Sequence, residues 1–344
     1  MSAYHVADAS GLIKLDAMEN PYTWPDELRS AWLERLQSVD VNRYPDPGAG
    51  ALMRRLREYL DLPEDMGLLP GNGSDEIIQL LAMALGTAGR GILSVEPGFV
   101  MYRMIATFCG MQYTGVPLRA DDYSLDMPAL LQAMEESRPA LVFLAYPNNP
   151  TGNLFDEQDV IRLIEAAPGL VDIDEAYSAF AQHSFRGYLG QYDNLLLMGT
   201  LSKMGLAGLR FGFLAGPEAW LEQLDKVRLP YNINVLTQVS TEFALAHRDV
   251  FDAQTAAIRA QRERMHTALS AMKAVQVFPS QANFILVHVG EGRALPVFNA
   301  LKQSGLLVKL SHGSHPLLQG CLRLTVGTEE ENTRLLAALA EALA

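Results

Sequence analysis

The sequence predicts an α/β protein: a large domain whose mostly parallel sheet is flanked by helices, plus a smaller α+β domain built from both chain termini. Three observations carry this. The chain has 344 residues, 49% hydrophobic and 19% charged, which is enough apolar material for a large core and length for about two domains. Short apolar runs recur between helical patterns through the middle of the chain. After about Pro230 that alternation gives way to a long helical stretch, three strand-like runs and a last helix.

Taken in order, residues 1–40 have few strand signals and are assigned to an N-terminal arm and part of the small domain. Residues 41–235 make the large domain. Its runs at 91–95, 140–145, 170–174, 195–199 and 211–215 are apolar on both faces, as strands of a covered parallel sheet are. Residues 236–344 make the small domain. A helical pattern fills 236–272, strand-like runs follow at 283–289, 306–310 and 321–326, and the last helix starts near Glu329. In an open α/β sheet, ligands bind beyond the carboxyl ends of the strands, so the turns after those runs are where chemistry is expected.

The charge balance narrows the function classes. With 27 Lys+Arg against 40 Asp+Glu the formal net charge is −13, a field that repels nucleic-acid backbones. Any anionic ligand must find its positive charge locally. Cys109 and Cys321 lack C-x-x-C spacing and read as buried thiols of a reducing compartment. The first 21 residues carry Asp8, Lys14, Asp16 and Glu19 rather than a signal peptide's apolar run, and no window has about 18 uninterrupted apolar residues. A soluble, cytoplasmic protein is expected, with neither nucleic acid nor membrane as a partner. His312 and His315 are spaced H-x-x-H in a Gly/Ser loop, with too few ligands around them for zinc, and no metal is expected. Neither a Gly-x-Ser-x-Gly turn nor a Walker lysine is present, so hydrolase and NTPase readings lack support.

Four polar turns form the strongest constellation. Tyr146-Pro147-Asn148-Asn149-Pro150-Thr151-Gly152 follows one strand, Asp174-Glu175-Ala176-Tyr177 ends the next, Thr200-Leu201-Ser202-Lys203 follows the third, and Arg210 comes seven residues after Lys203. Each alone reads as an ordinary turn; in this order all can face one cleft. Gly71-Asn72-Gly73-Ser74-Asp75-Glu76 opens a helical pattern, and helix N-termini of this kind bind phosphate through backbone N–H groups. Asp75 and Glu76 also suit the helix dipole. A dinucleotide reading fails, because a third glycine is missing and an apolar strand before Gly71 is not apparent.

These motifs resemble those of fold-type-I pyridoxal-phosphate (PLP) aminotransferases and, within that group, the histidinol-phosphate aminotransferases, over almost the whole chain. The resemblance implies a large PLP-binding domain. It implies that Lys203 carries the cofactor and acts as base, that Asp174 holds the proton on its ring nitrogen, and that Tyr177 and Asn149 bond its phenolic oxygen. The phosphate falls to Gly73, Ser74, Asp75, Ser202 and Arg210, although many relatives have one more residue between lysine and arginine. Glu96-Pro97-Gly98-Phe99 resembles the segment whose aromatic stacks on the ring, with Phe99 where tyrosine is more usual. Core packing of Phe99 and Tyr102 on one helix face is the alternative. Arg43-Tyr44-Pro45 matches a segment whose tyrosine reaches the phosphate of the neighbouring subunit, which implies a homodimer.

For the substrates, Cys321-Leu322-Arg323 matches the segment bearing a carboxylate-binding arginine. Lys309 and Tyr4 align with positions near the substrate phosphate, and Tyr22 and Tyr231 are plausible walls for an imidazole. The implied reaction exchanges an amino group between L-histidinol phosphate and 2-oxoglutarate, giving imidazole acetol phosphate and L-glutamate, a step of histidine biosynthesis. The alternatives within the same fold are a threonine-phosphate decarboxylase and a broad aromatic aminotransferase. A non-catalytic PLP-binding regulator is disfavoured because no basic DNA-binding appendage accompanies the fold.

Overall fold

Two sheets organise the chain, and their strand ends enclose the cleft described below. The computed structural model describes residues 7–86 and 89–344. Its strands are β1 (Ile13–Leu15), β2 (Met66–Gly71), β3 (Ile92–Glu96), β4 (Tyr113–Pro117), β5 (Leu141–Ala145), β6 (Leu170–Asp174), β7 (Leu195–Thr200), β8 (Gly212–Pro217), β9 (Gln276–Val277), β10 (Phe284–His288), β11 (Leu306–Leu310) and β12 (Cys321–Thr325).

The larger sheet has seven strands in the order β2-β8-β7-β6-β5-β3-β4. Strands β3 to β7 run parallel, while β8 is antiparallel to both of its neighbours. Side chains alternate between the two faces, so each strand feeds two cores. Leu195 and Leu197 of β7 enter one core, and Leu196 and Met198 enter the other. On β6, Val171 and Ile173 lie with the first and Leu170 with the second. Alternation therefore turns Asp172 and Asp174 toward the second face. Helices cover both faces, among them Ser74–Leu85, Val100–Phe108 and Glu157–Ala166.

The smaller sheet, β1-β11-β12-β10-β9, combines a strand from the N-terminal segment with four from the C-terminal region. Here β1 pairs parallel with β11, and the remaining pairs are antiparallel. Helices Arg248–Ser270, Ala294–Gln303 and Glu329–Leu343 pack on it around Ile258, Phe284, Leu324 and Leu335. The last helix begins with a capping box between Thr328 and Glu331, which satisfies two of its free N–H groups.

Two expectations are corrected. An apolar strand does precede Gly71: β2 runs directly into it, paired antiparallel with β8. Gly67 and Pro70 dilute its β signal, and its place at a sheet edge is where proline is tolerated. The helical pattern over 236–272 is two helices, Val235–Ala246 and Arg248–Ser270, broken at His247. That residue leaves helical geometry, and its ring packs on Phe243 with centroids 4.3 Å apart. Strands β4 and β9 were not anticipated. Among the described residues no helix is long and apolar enough to cross a membrane.

Candidate active site

The strand order reverses between β3 and β5: the chain adds β4 on one side and β6, β7 and β8 on the other. Crevices at such switch points are where open α/β sheets hold ligands. Segments leaving β3, β5, β6 and β7 supply Phe99, Asn149, Tyr177 and Lys203 to a cleft of about 360 Å³. Asp174, the last residue of β6, and Ser74, Asp75, Ser202 and Arg210 line it too.

Asp174 is held at the cleft floor, 3% exposed. Its Oδ2 accepts from the Tyr102 hydroxyl at 2.7 Å, and its Oδ1 from the Ala176 N–H at 3.0 Å. Burial raises its pKa to about 6, with Asp75 adding to the rise, while the Tyr102 and Ala176 hydrogen bonds and the Lys203 charge oppose it. Lys203 projects from a tight turn in which Gly205 takes φ +125°. Its Nζ donates to the Ala17 carbonyl at 3.0 Å and lies 5.9 Å from the Tyr177 ring centre. Burial lowers its pKa to about 8, and Arg323 and Arg210 push the same way against Glu19 and Asp75. A lysine in that range is a usable nucleophile and base.

Asn149 links two sides of the cleft. Its Nδ2 donates to the Tyr177 hydroxyl at 3.1 Å, and its Oδ1 accepts from Arg323 Nη1 at 2.6 Å. A second guanidinium nitrogen of Arg323 donates to the Asp16 carbonyl at 2.7 Å, and the group lies 5.2 Å from the Phe284 ring centre.

The helix Ser74–Leu85 starts at Gly73, whose φ of +83° favours glycine. A Cβ there would stand 2.6 Å from Arg210 Nη2, so the missing side chain is what lets the guanidinium approach the helix start. Arg210 reaches Asp75 at 3.4 Å. Ser202 is buried with its hydroxyl 2.8 Å from that of Thr200. Backbone N–H groups, hydroxyls and a guanidinium thus converge as an anion cradle needs. Glu76 turns away, accepting from the Asn72 N–H and from the Asn232 side chain.

Not every expected residue joins this cluster. Lys309 is exposed, although its register opposite Arg323 puts both on one face of the smaller sheet. Tyr22 is half-buried and packs against the smaller sheet's core. Tyr44 is 82% exposed and stacks on Tyr231, centroids 4.5 Å apart, on the outer surface. Tyr4 lies outside the described residues. His312 and His315 each accept a backbone N–H through Nδ1, from Gly320 and Leu317, and so shape their own loop.

Sequence reasoning missed Tyr102, Thr200 and the lining from Ala17, Met18 and Glu19. Tyr102 does pack on Phe99, edge to face at 5.5 Å, but its hydroxyl is spent on Asp174. Thr200 sits in the quoted turn beside Ser202, the one signal available for it.

The chain belongs to the class I and II aminotransferases, whose family model matches residues 10–339. It is 56% identical to a histidinol-phosphate aminotransferase 2 of Nitrosococcus oceani, over 98% of this chain and 94% of that one. It is 52% identical, over the same shares, to a histidinol-phosphate aminotransferase of Chromobacterium violaceum. Its fold is similar to that of the Sinorhizobium meliloti histidinol-phosphate aminotransferase, solved with pyridoxal-5'-phosphate, with a TM-score of 0.87 and 24% identity over 99% of this chain and 95% of that one.

Proposed function

We propose that the chain is a PLP-dependent, cytoplasmic, homodimeric enzyme exchanging an amino group between L-histidinol phosphate and 2-oxoglutarate. The observation that carries this is the grouping, in one cleft, of a buried carboxylate, a lysine with lowered pKa and an anion cradle. Identity above 50% over nearly the full length to relatives named for this activity supports the choice of substrate.

The residues fit the cofactor. Gly73, Ser74, Ser202 and Arg210 would hold its phosphate, Asp174 its ring nitrogen, Tyr177 and Asn149 its phenolic oxygen, Phe99 one ring face and Lys203 its aldehyde carbon. Asp75 orients Arg210. When bound, PLP supplies the sink for the electron pair released at the substrate's Cα. Lys203 would take the proton from that carbon and deliver it to the cofactor carbon that its own amine holds in the resting enzyme. Asp174 would hold the proton on the ring nitrogen. Arg323 grips the carboxylate of glutamate through its fork and the phosphate of the other substrate, with Lys309 and Tyr4 assisting and Tyr22 beside the imidazole. Tyr44 of the partner subunit completes the phosphate site, and the exposed stack of Tyr44 on Tyr231 suits a surface that a second copy covers.

A spectroscopic titration of the PLP-loaded protein tests this. Histidinol phosphate should bleach the yellow bound cofactor and 2-oxoglutarate should restore it. Carbon dioxide release from threonine phosphate without keto-acid formation would sink the transaminase reading.

A further inference from the structure

Two carboxyl groups, not one, occupy the cleft-side face of β6. Asp172 and Asp174 are two residues apart and lie opposite Val171 and Ile173, both buried. They are treated very differently. Asp172 is 0% exposed, its strand neighbours are Phe143 and Leu196, and among the described residues neither oxygen has a side-chain donor or a well-formed hydrogen bond, the Met198 N–H being the one backbone group that favours its charge. Among the described residues Asp174 has two donors, one of them a side chain, the Tyr102 hydroxyl. Tyr102 cannot easily swing away. It is 1% exposed, stacks flat on Phe143 with centroids 4.6 Å apart, and meets Phe99 edge-on.

We propose that Tyr102 is a positioning residue: its hydroxyl makes Asp174 rather than Asp172 the ionised member of this pair, while its ring braces Phe99 above the same pocket. This rests on the PLP reading, since it is the ring nitrogen that needs the charge. Two like charges this close inside a protein cannot both be cheap, and the carboxyl with the side-chain donor and the better-formed hydrogen bonds to its charged form keeps the charge. Burial and Asp174 push Asp172 well above the ordinary range, against the Met198 backbone N–H, and so keep it protonated. Tyr102 is likewise held above its ordinary range by burial and so remains a donor. The other charged groups bearing on Asp174 are Asp75 at the start of the helix Ser74–Leu85, which opposes ionisation, Lys203, which favours it, and the neighbouring buried Glu175, whose own pKa the Asp174 charge raises.

The test is a pH titration of PLP retention, read by absorbance after gel filtration, on wild type, Tyr102→Phe and Asp172→Asn. Phenylalanine keeps the stack and removes only the donor. Its low-pH midpoint of cofactor loss should rise by about one unit, whereas Asp172→Asn, a neutral group for a neutral group, should titrate as wild type. A Tyr102→Phe midpoint equal to wild type overturns the proposal, and so does an Asp172→Asn shift as large as that expected of Tyr102→Phe. Failure of the wild-type chain to take up PLP is a distinct result, which would overturn the cofactor reading and this inference with it.

Discussion

Arg323 donates through Nη1 to Asn149 Oδ1 at 2.6 Å, and that contact ties the smaller sheet to the turn after β5. Because Asn149 Nδ2 simultaneously serves Tyr177, the amide is fixed from both sides: its acceptor faces a cation and its donor a phenol. One side chain therefore connects the proposed substrate anchor to the proposed cofactor tuner. Asn149→Ala should lower affinity for glutamate and also shift the absorbance of the bound cofactor, with a combined loss of about tenfold to a hundredfold in kcat/KM, the range of a lost charge-assisted hydrogen bond. If the Michaelis constant moved while the spectrum stayed fixed, the coupling through Asn149 would be absent.

The same guanidinium bears on Lys203. Burial is the largest cause of the lowered lysine pKa and Arg323 the next. At about 8, roughly one lysine in ten is neutral at pH 7, against fewer than about one in a thousand at the ordinary value. In the cofactor-free protein, the labelling rate of Lys203 by an amine-reactive reagent should rise through a midpoint near 8. Arg323→Gln should move that midpoint up, toward 10.5. An unmoved midpoint would assign the whole shift to burial.

Much of this cleft can be read from the sequence because its pieces are linear motifs placed at strand ends: Asn149, Asp174 and Lys203 each follow or close an apolar run. What escapes is pairing across the fold. Tyr102 and Asp174 are 72 residues apart, and an aromatic on a helix's apolar face reads as packing until its partner is known. Asp172 illustrates the converse. Period-2 alternation alone puts it on the same face as Asp174, but a strand apolar elsewhere gives no hint that its carboxyl lacks a side-chain donor. Strand β2 escapes because Gly67 and Pro70 interrupt the β pattern, and its strand character comes from pairing with β8.

Asp174 carries a cost in stability. Its raised pKa means that the folded chain binds this proton more tightly than the unfolded one does. Ionisation therefore costs stability progressively from the ordinary value of 3.8 up to about 6, and fully above that. In the cofactor-free protein, Asp174→Asn should raise stability by about 3 kcal/mol at pH 8 and by only about 0.5 kcal/mol at pH 4. With PLP present the order should reverse, since the amide cannot hold the ring-nitrogen proton. Thermal melts at both pH values, with and without cofactor, measure all four terms. A destabilised cofactor-free Asp174→Asn at pH 8 would contradict the assignment of burial as the dominant effect.

Gly73 and Gly11 separate strain from steric exclusion. Both take positive φ, +83° and +74°, but a Cβ on Gly11 meets nothing within 4 Å while one on Gly73 meets Arg210 at 2.6 Å. An alanine should cost about 1–2 kcal/mol of folding stability at Gly11 from its positive φ, and about 1–3 kcal/mol at Gly73, whose ψ of 166° puts it in a region open almost only to glycine. Only Gly73→Ala should also displace the guanidinium and weaken PLP binding, by about tenfold or more. Equal cofactor affinities in the two variants would mean that Arg210 does not need its present approach to the helix start.

Tyr44 gives the sharpest test of assembly, since it stands on the outer surface with 82% of its area exposed and contributes nothing to the cleft of its own chain. If it completes the phosphate site of a second copy, Tyr44→Ala and Lys203→Ala should each be nearly inactive alone. In a two-fold dimer, mixing them puts both defects in one site and leaves the other intact. Equal amounts, unfolded and refolded together, should then recover about a quarter of wild-type activity, because half of the dimers are mixed and each has one sound site of two. No recovery, with mixed dimers demonstrated by differently tagged chains, would mean that Tyr44 does not complete the partner's site, and a fully active Tyr44→Ala alone would place it outside both sites.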